Sequence, residues 1–318
     1  MINFCTYFDR NYLSKFLTLK ASLDQYKNDY TFFILSLDNF VSDFFKKNNF
    51  KNVQLINLID LEVEFADLLQ AKKNRSLVEY YFTLSPFLPL YIHKKFNVFQ
   101  ISYLDSDFYF FKNPRKFINQ NSDFSVVLIK QESNPMYGLF NVGWILFNFN
   151  NHETKEIVKK WSTQCLNSCS DIPNLKKNLY ADQKYLDSWP QQLKKIKILY
   201  PEYTCLSPWD KNNVIEENIE SMISFHFHGL EIQNIYIISG FSKYNKKISK
   251  KIIRNIYRPY LLQLIAIEKK YDLQSSSIRG VPLMNFRGIL TKIRNLKSKI
   301  KQIIFNDLHL IAKIINRP

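Results

Sequence analysis

The sequence predicts an α/β fold in which a mixed, mostly parallel sheet is flanked by helices and followed by a basic helical extension. The amino-terminal part alternates short apolar runs with segments of helical periodicity, which is the pattern of strands joined by helices. The 318 residues are 46% hydrophobic and 16% aromatic, a composition typical of folded chains. Residues 243–318 hold 18 lysines and arginines against three acidic residues. We therefore expect a folded domain in residues 1–240 and an extension in residues 241–318.

The elements of the domain follow from its periodicity, taken in chain order. Strands are predicted at 2–8, 30–37 and 53–58, with helices at 12–26 and 39–48 between them. Residues 77–96 are predicted to be helical up to their prolines, and 98–105 to form a buried central strand that ends at Asp105. Ligands of open α/β sheets bind at the carboxyl ends of the strands. Asp105 and Asp107 are therefore expected at a ligand site.

Two carboxylates at a strand end suggest a site for a divalent cation. Asp105 and Asp107 lie in the stretch YLDSDFYFFKNP, and carboxylate oxygens are the ligands that Mg²⁺ and Mn²⁺ prefer. Such a cation can act as a Lewis acid for a departing diphosphate. The alternative is that both are ordinary turn residues. Asp60 and Glu62 form a similar acidic pair in LIDLEVE, which we interpret as a loop or helix start.

Two further stretches place polar side chains beside apolar segments. LFNVGWILFN carries Asn141 and Gly143 at the start of a predicted strand, where a small residue lets a ligand or backbone approach closely. YADQKYLDSWP offers Asp182 and Gln183 at a predicted helix start. The structural alternatives are a turn for Asn141 and a helix cap for Asp182.

The stretch SFHFHGL places His226 and His228 two residues apart. We expect only one of the two imidazoles to face the site. The alternative for either histidine is an ordinary core or surface side chain.

In this order and spacing, the four stretches resemble the glycosyltransferases of the GT-A (Rossmann-like) fold. They most closely resemble glycosyltransferase family 8 and related nucleotide-diphospho-sugar transferases, over about residues 2–230. The resemblance implies that Asp105 and Asp107 bind the cation, with Asp105 also near the nucleotide ribose. HFHG is similar to the His-Phe-x-Gly segment of the family, which implies that His226 is the third metal ligand and leaves His228 as an alternative ligand or a base.

The same resemblance assigns the donor site. FNVGW is similar to the Phe-Asn-x-Gly segment of the family, so Asn141 and Gly143 would border the donor sugar. ADQKYL is similar to its Asp-Gln-x-x-Leu segment, which implies that Asp182 binds donor-sugar hydroxyls and Gln183 lies beside the anomeric carbon, as the catalytic pair. TYFDRNY is similar to the loop that receives the base, which implies three nucleotide-binding residues: Thr6, Asp9 and Tyr12.

Two departures from the family pattern concern basic residues. The family continues after its His-Phe-x-Gly segment to a Lys-Pro-Trp that reaches the diphosphate, whereas this chain reads LEIQN. The phosphate-contacting cation is therefore unassigned. The helix before the acidic stretch also lacks the usual basic residue, and we assign Arg75 as its substitute at the nucleotide.

The predicted function is a metal-dependent glycosyltransferase, using Mn²⁺ or Mg²⁺, that moves a sugar from a nucleotide diphosphate to a saccharide or lipid-linked acceptor. A UDP-sugar is the favoured donor, and the expected setting is bacterial surface polysaccharide, capsule or lipopolysaccharide synthesis. The resemblance at Asp182 and Gln183 implies retention of anomeric configuration. An inverting reaction would need a base, and His228 or Glu231 could serve, so inversion stays open.

The basic extension predicts a contact with a polyanionic surface. In residues 289–315, apolar side chains recur at three- and four-residue steps and lysines occupy the other sides, as in an interfacial helix. The stripe could instead pack on the domain or on a second copy in a homodimer. We expect a cytoplasmic protein, peripheral on the inner face of the membrane, because the sequence has no signal-peptide pattern and no long apolar run.

Two other functional classes are considered. The basic tail of a nucleic-acid-binding or other polyanion-binding protein would show the same charge asymmetry. Nucleic acid is disfavoured because the chain has no recognisable nucleic-acid motif and residues 1–242 are nearly neutral. A catalytically inactive, glycosyltransferase-like scaffold would share the fold but bind neither metal nor nucleotide.

Overall fold

The computed structural model describes residues 1–27, 29–233 and 236–273, except for the side chains of residues 232–237. The predicted amphipathic segment 289–315 lies outside the described residues. No helix in the described ranges is both long and apolar enough to cross a bilayer.

The strands and helices follow the predicted alternation. The strands are β1 (Ile2–Phe8), β2 (Tyr30–Ser36), β3 (Val53–Asn57), β4 (Gln100–Leu104), β5 (Phe108–Phe110), β6 (Val126–Lys130), β7 (Phe140–Asn148), β8 (Ile196–Leu199), β9 (Cys205–Leu206), β10 (Ser224–His226), β11 (Leu230–Gln233) and β12 (Tyr236–Ser239). The α-helices are α1 (Leu13–Asp24), α2 (Asn39–Asn48), α3 (Leu58–Glu64), α4 (Asp67–Asn74), α5 (Leu77–Leu84), α6 (Phe87–Phe96), α7 (Arg115–Gln120), α8 (His152–Asn167), α9 (Asn212–Asn218), α10 (Lys250–Ile252) and α11 (Arg258–Tyr271).

The main sheet has seven strands in the order β3-β2-β1-β4-β7-β6-β8. All neighbouring pairs are parallel except those of β7, which runs antiparallel to both β4 and β6. The prediction of a mixed, mostly parallel sheet is therefore confirmed. Because β7 is reversed, its amino end lies at the same edge of the sheet as the carboxyl ends of β1 and β4.

Helices cover both faces of this sheet, and the side chains of β1 alternate between them. Phe4 and Phe8 pack in a core with α1 and α2, whereas Cys5 points into a second core formed with α3 to α6 and α8. Local interactions define both ends of helix α2. The Asp38 carboxylate accepts a hydrogen bond from the Val41 N–H at 2.9 Å, and Asn49 ends the helix in a left-handed conformation.

The prediction that residues 77–96 are helical up to their prolines is confirmed, and a second helix follows the first proline. Helix α5 ends at Leu84, and α6 begins directly after Pro86 and contains Pro89. Pro89 is the third residue of α6, where the backbone has no intrahelical partner for an N–H, so the missing donor costs little. The junction between the two helices presents Ser85 toward the carboxyl edge of the sheet.

Residues 241–273 pack against the preceding chain. Tyr260 stacks on Phe227 with ring centroids 3.8 Å apart, and Ile267 of α11 is buried in the core that contains α1. The smaller sheets are β5-β10-β9 and the hairpin β11-β12. The division of the chain at residue 240 stays a prediction.

Candidate active site

A cavity of about 460 Å³ opens at the carboxyl edge of the main sheet. It is bounded by the ends of β1 and β4, by the start of β7, and by the segments that carry the remaining polar stretches. Seven of the residues selected from the sequence line it: Asp105, Asn141, Gly143, Asp182, Gln183, His226 and His228.

Asp105, Asp107 and His226 form a cluster at this cavity. His226 Nε2 lies 3.0 Å from Asp107 Oδ1 and 3.6 Å from Asp105 Oδ2. One ligand atom from each residue lies within 4.8 Å of the others. Two carboxylate oxygens and one imidazole nitrogen are suitable donors for Mn²⁺ or Mg²⁺. The cluster therefore fits a divalent cation.

Gly143 contributes room beside this cluster. A Cβ at this position would lie 2.9 Å from Asp105 Oδ2 and 3.0 Å from His226 Cε1. Any larger residue would push against the donor atoms, so the glycine keeps the space around them open. The Gly143 carbonyl also accepts the Asp105 N–H at 2.9 Å, which fixes the strand end.

The small sheet brings His226 to the two aspartates. His226 pairs in register with Phe108, the first residue of β5, so the residue that follows Asp107 is bonded across to the histidine strand. The Phe108 and His226 rings stack with centroids 4.5 Å apart. Sequence-distant residues thus meet because β5 and β10 are antiparallel neighbours.

The pKa values of the three ionisable groups in the cluster are shifted in different directions. Burial raises the pKa of Asp105 to about 6, against the opposing effect of the His226 imidazole. Burial acts in the same direction on Asp107, but the charge and hydrogen bond of His226 outweigh it and hold the pKa of Asp107 below its usual range. Burial alone would lower the pKa of His226, and the two carboxylates raise it instead. The negative charge at this point therefore attracts a cation.

Asn141, Asp182 and Gln183 also line the cavity. Asn141 Oδ1 accepts the Gly143 N–H at 2.8 Å, and Gln183 Nε2 donates to the Tyr137 carbonyl at 2.8 Å. Asp182 occupies the N-cap position of the short 3₁₀ helix Gln183–Gln191 but makes no side-chain capping hydrogen bond. Burial, with the nearby Asp105 charge, raises the pKa of Asp182 to about 7. The carboxyl also lies close to the backbone N–H groups of Asp182 and Gln183 at the start of this helix, so the structural and the functional interpretations both stay open.

Hydroxyl groups lie beside Asp105 and Asp182 in the cavity wall. Tyr103 donates its hydroxyl to Asp105 Oδ1 at 3.0 Å, and the hydroxyls of Tyr7 and Ser85 lie 3.0 Å apart. Ser85 in turn hydrogen-bonds to the Asp182 carboxyl. The sequence motifs did not identify these hydroxyl residues, although Tyr7 belongs to the TYFDRNY stretch that resembles the base-binding loop.

Both histidines face the cavity, and the expectation that only one does so is wrong. The His226 and His228 rings have centroids 5.6 Å apart, and Trp209 lies 5.4 Å from each. Side chains two residues apart on an extended chain point to the same side, so a strand that presents one histidine also presents the other. Trp209 and Tyr244 complete this aromatic wall, and sequence analysis did not select either.

The three residues assigned to the base lie outside the cavity wall. Thr6 is fully buried in β1, and Asp9 accepts the Asn11 N–H at 2.9 Å at the start of a 3₁₀ turn. Tyr12 is 41% exposed, and Lys15 Nζ lies 4.2 Å from the centre of its ring. Their nucleotide-binding role stays a prediction.

The structure does not bring Arg75 to this cavity. Its guanidinium donates to the Thr83 hydroxyl and to the Leu166 carbonyl, and so ties α4 to α5 and α8. Among the described residues that line the cavity, Lys243 is the only lysine or arginine. Glu231, considered as an alternative base, forms an ion pair with Lys243 at 3.3 Å and is not part of the described wall.

Comparisons with solved structures identify the fold. The galactosyltransferase LgtC, solved with donor and acceptor sugar analogs, matches with a TM-score of 0.52 and 13% identity over 80% of this chain and 100% of that chain. The bifunctional glycosyltransferase WbbM matches at 0.57 and 11% identity, over 87% of this chain and 51% of that one. The glycosyltransferase GlyE of Streptococcus pneumoniae TIGR4 matches at 0.50 and 15% identity, over 87% and 64%. The chain has the GT-A fold, as predicted.

Sequence comparison finds two relatives of higher identity. The uncharacterized protein YfnD of Bacillus subtilis (strain 168) is 25% identical over 280 residues, which cover 82% of this chain and 88% of YfnD. YfnF of the same organism is 25% identical over 257 residues, covering 73% of this chain and 82% of YfnF. No family model matches the chain.

Proposed function

We propose that the protein is a metal-dependent glycosyltransferase that moves a sugar from a nucleotide diphosphate, with a UDP-sugar as the favoured donor, to a saccharide or lipid-linked acceptor. The observation that carries this proposal is the Asp105, Asp107 and His226 cluster in a cavity at the carboxyl edge of a GT-A sheet. The LgtC structure holds donor and acceptor sugar analogs, which supports a site of this kind for both substrates.

Asp105, Asp107 and His226 would hold Mn²⁺ or Mg²⁺. When bound, the cation supplies Lewis acidity that stabilises negative charge on the leaving diphosphate. Asp107 and His226 are buried, at 5% and 3% exposed, so little water screens their interaction with a cation. Gly143 keeps the space beside Asp105 and His226 clear.

Asp182, Gln183, Asn141 and Gly143 would surround the donor sugar. The Asp182 carboxyl is 4% exposed and adjoins the cavity, so hydroxyl groups of a sugar could satisfy it there. Gln183 would lie beside the anomeric carbon. This arrangement supports retention. Inversion would require a base, and of the two candidates considered, His228 is the one in the described wall. The anomeric configuration of the product, measured by NMR, distinguishes the two outcomes.

The proposed setting is assembly of bacterial surface polysaccharide or lipopolysaccharide at the cytoplasmic face of the membrane. Its support is the excess of basic residues in positions 243–318 and the amphipathic pattern of 289–315. We expect the full-length protein to sediment with anionic vesicles at low salt, and a chain ending at residue 280 to lose this behaviour. If full-length protein ignores the vesicles, contact with the domain or a homodimer replaces the membrane.

A hydrolysis screen tests the function directly. Purified protein is incubated with a panel of UDP-, GDP-, CDP-, ADP- and dTDP-sugars in Mn²⁺, Mg²⁺ or EDTA, and release of nucleoside diphosphate is measured. We expect release from one donor class, and its loss in EDTA. If no donor is cleaved and the protein is retained on DNA in a salt-dependent manner, a polyanion-binding protein is favoured. If neither metal nor nucleotide binds, the chain is an inactive scaffold.

A further inference from the structure

The cavity has a marked imbalance of charge. Its described wall contains Asp105, Asp171 and Asp182, with Asp107 directly behind His226. A nucleotide diphosphate is itself multiply negative, so it must find more than one compensating positive group in such a cavity. One divalent cation at the cluster would serve part of this need.

We propose that Lys243 is the second positive group, that it binds the donor diphosphate, and that Glu231 holds Lys243 aside until the donor arrives. This inference rests on the proposed function, since it assigns a ligand to the same cavity. It also assigns a role to a segment that sequence analysis placed outside the catalytic domain.

The position of Lys243 supports the first part. Lys243 lines the cavity together with Asp105 and His226, and it is the only lysine or arginine in the described wall. An ammonium group binds phosphate oxygens as a compact charge with three donors. Its long, flexible stem allows the charge to move between partners.

Gly229 provides an independent observation. A Cβ at Gly229 would lie 2.9 Å from Lys243 Cδ and 3.1 Å from Lys243 Cε, so the lysine stem lies directly on the glycine. Gly229 also has a φ of +71°, a left-handed conformation that favours glycine. Gly229 directly follows His228, so the aliphatic part of the Lys243 side chain packs on the backbone of the HFHG stretch.

Other described lysines and arginines near this region have different partners. Lys15 donates to the Leu230 carbonyl at 2.9 Å and lies over the Tyr12 ring. Lys246 donates to the Asp210 carbonyl at 2.6 Å. Neither belongs to the described wall, which leaves the role to Lys243.

The ion pair between Lys243 and Glu231 would compete with the binding of a diphosphate to Lys243. Glu231 Oε1 lies 3.3 Å from Lys243 Nζ, and both side chains are 47% exposed. An exposed ion pair of this kind is weak because water screens it. A diphosphate with more negative charge would take Lys243 from Glu231, and Glu231 would reduce the affinity for the diphosphate by competing for the same ammonium group.

Isothermal titration of the full-length protein in Mn²⁺ tests both parts, with UDP, UMP and uridine as probes. We expect Lys243→Met to weaken UDP binding about 10- to 100-fold, the value of one charge-assisted hydrogen bond, and to change uridine binding little. Lys243→Arg should recover part of the affinity. Glu231→Gln should tighten UDP binding by about two- to fivefold, which a merely structural ion pair would not do.

Matched controls separate the possible failures. Lys247→Met makes the same change of charge at an exposed position and should leave UDP binding unchanged, and thermal melting checks the fold of every variant. If wild type binds UDP and Lys243→Met binds it equally, the assignment of Lys243 is overturned while the proposed function stands. If Glu231→Gln weakens UDP binding, the competition is overturned. If wild type binds no nucleoside diphosphate in a panel that also includes GDP, CDP, ADP and dTDP, the proposed function and this inference fail together.

Discussion

Two acidic pairs of the same sequence pattern have different surroundings in this molecule. Asp60 and Glu62 follow β3, and Asp105 and Asp107 follow β4. Asp60 Oδ2 accepts the Asn57 N–H at 3.3 Å in a capping box, and Glu62 Oε1 accepts the Tyr80 hydroxyl at 2.6 Å and Lys72 Nζ at 2.8 Å. Asp105 and Asp107 instead converge on a single imidazole. Asp60 and Glu62 thus have separate hydrogen-bond partners, whereas Asp105 and Asp107 both interact with His226.

Backbone geometry explains the contrast. Asp60 and Glu62 lie in helix α3, where residues two apart point about 200° away from each other, so their carboxylates cannot meet. Asp105 and Asp107 lie in the turn between β4 and β5, where both carboxylates can face the His226 imidazole. An acid-x-acid pattern therefore predicts a cation site only when the backbone between the acids is not helical.

Asp107→Asn should cause the largest loss of activity among the substitutions in the two pairs. The variant removes one charge from the cluster with almost no change of volume, and we expect donor hydrolysis to fall about 10³-fold, because charge developing on the leaving group loses its stabilisation. Steady-state hydrolysis at saturating Mn²⁺ measures the loss, and calorimetry of Mn²⁺ binding should show a parallel fall in affinity. Undiminished hydrolysis in this variant, or in wild type with EDTA, would remove the metal role of the second pair.

The residues that the sequence identified are those whose roles depend on local backbone. Asp105 could be selected because an apolar strand ends directly before it, and Asn141 because another begins beside it. Trp209 and Lys243 could not be selected, since they reach the cavity only through the pairing of β9 with β10 and the return of the chain after β12. Arg75 was assigned as a substitute for a basic residue of the family pattern, and the sequence does not show that the guanidinium meets Thr83 and Leu166.

Asp182→Asn tests a buried carboxyl outside both pairs, which hydrogen-bonds to Ser85 and lines the cavity. We expect transfer and donor hydrolysis to fall about 10²- to 10³-fold, while the affinity for free UDP changes less than about threefold, because the proposed function assigns the side chain to the sugar and not to the nucleotide. Titration with UDP and single-turnover hydrolysis measure the two quantities. An equal loss of both would indicate that Asp182 acts by holding its short helix in place.

The same variant should change the pH dependence of stability. Burial raises the pKa of Asp182 to about 7 in the folded state, so between about pH 4 and pH 7 the folded state holds a proton that the unfolded state has released. Stability of the wild type therefore falls as pH rises through this window, by at most about 4 kcal/mol from this group. Urea denaturation at pH 4.5 and pH 8 should show a smaller difference for Asp182→Asn.

The two histidines offer a finer test, since both face the cavity but only His226 contacts the carboxylates. We expect His226→Ala to weaken Mn²⁺ binding at least about tenfold and His228→Ala to change it less than about threefold. Titration of each variant with Mn²⁺ gives the order. The reverse order would mean that His228 is the metal ligand and that His226 serves the aspartates only as a counter-charge.

Glu62→Gln should have the smallest effect on activity, and it completes the contrast from the structural side. Glu62 is 7% exposed, and its carboxylate accepts from both Tyr80 and Lys72, so the neutral amide keeps the shape but weakens both hydrogen bonds. We expect a loss of about 1–2 kcal/mol in the free energy of unfolding, measured by urea denaturation, with donor hydrolysis within about twofold of wild type. Asp60→Asn, which weakens only an exposed capping contact, should cost about 0.5 kcal/mol and serves as the control. Loss of hydrolysis in Glu62→Gln at unchanged stability would show that the first pair also acts on substrate, and backbone geometry would then no longer distinguish the two.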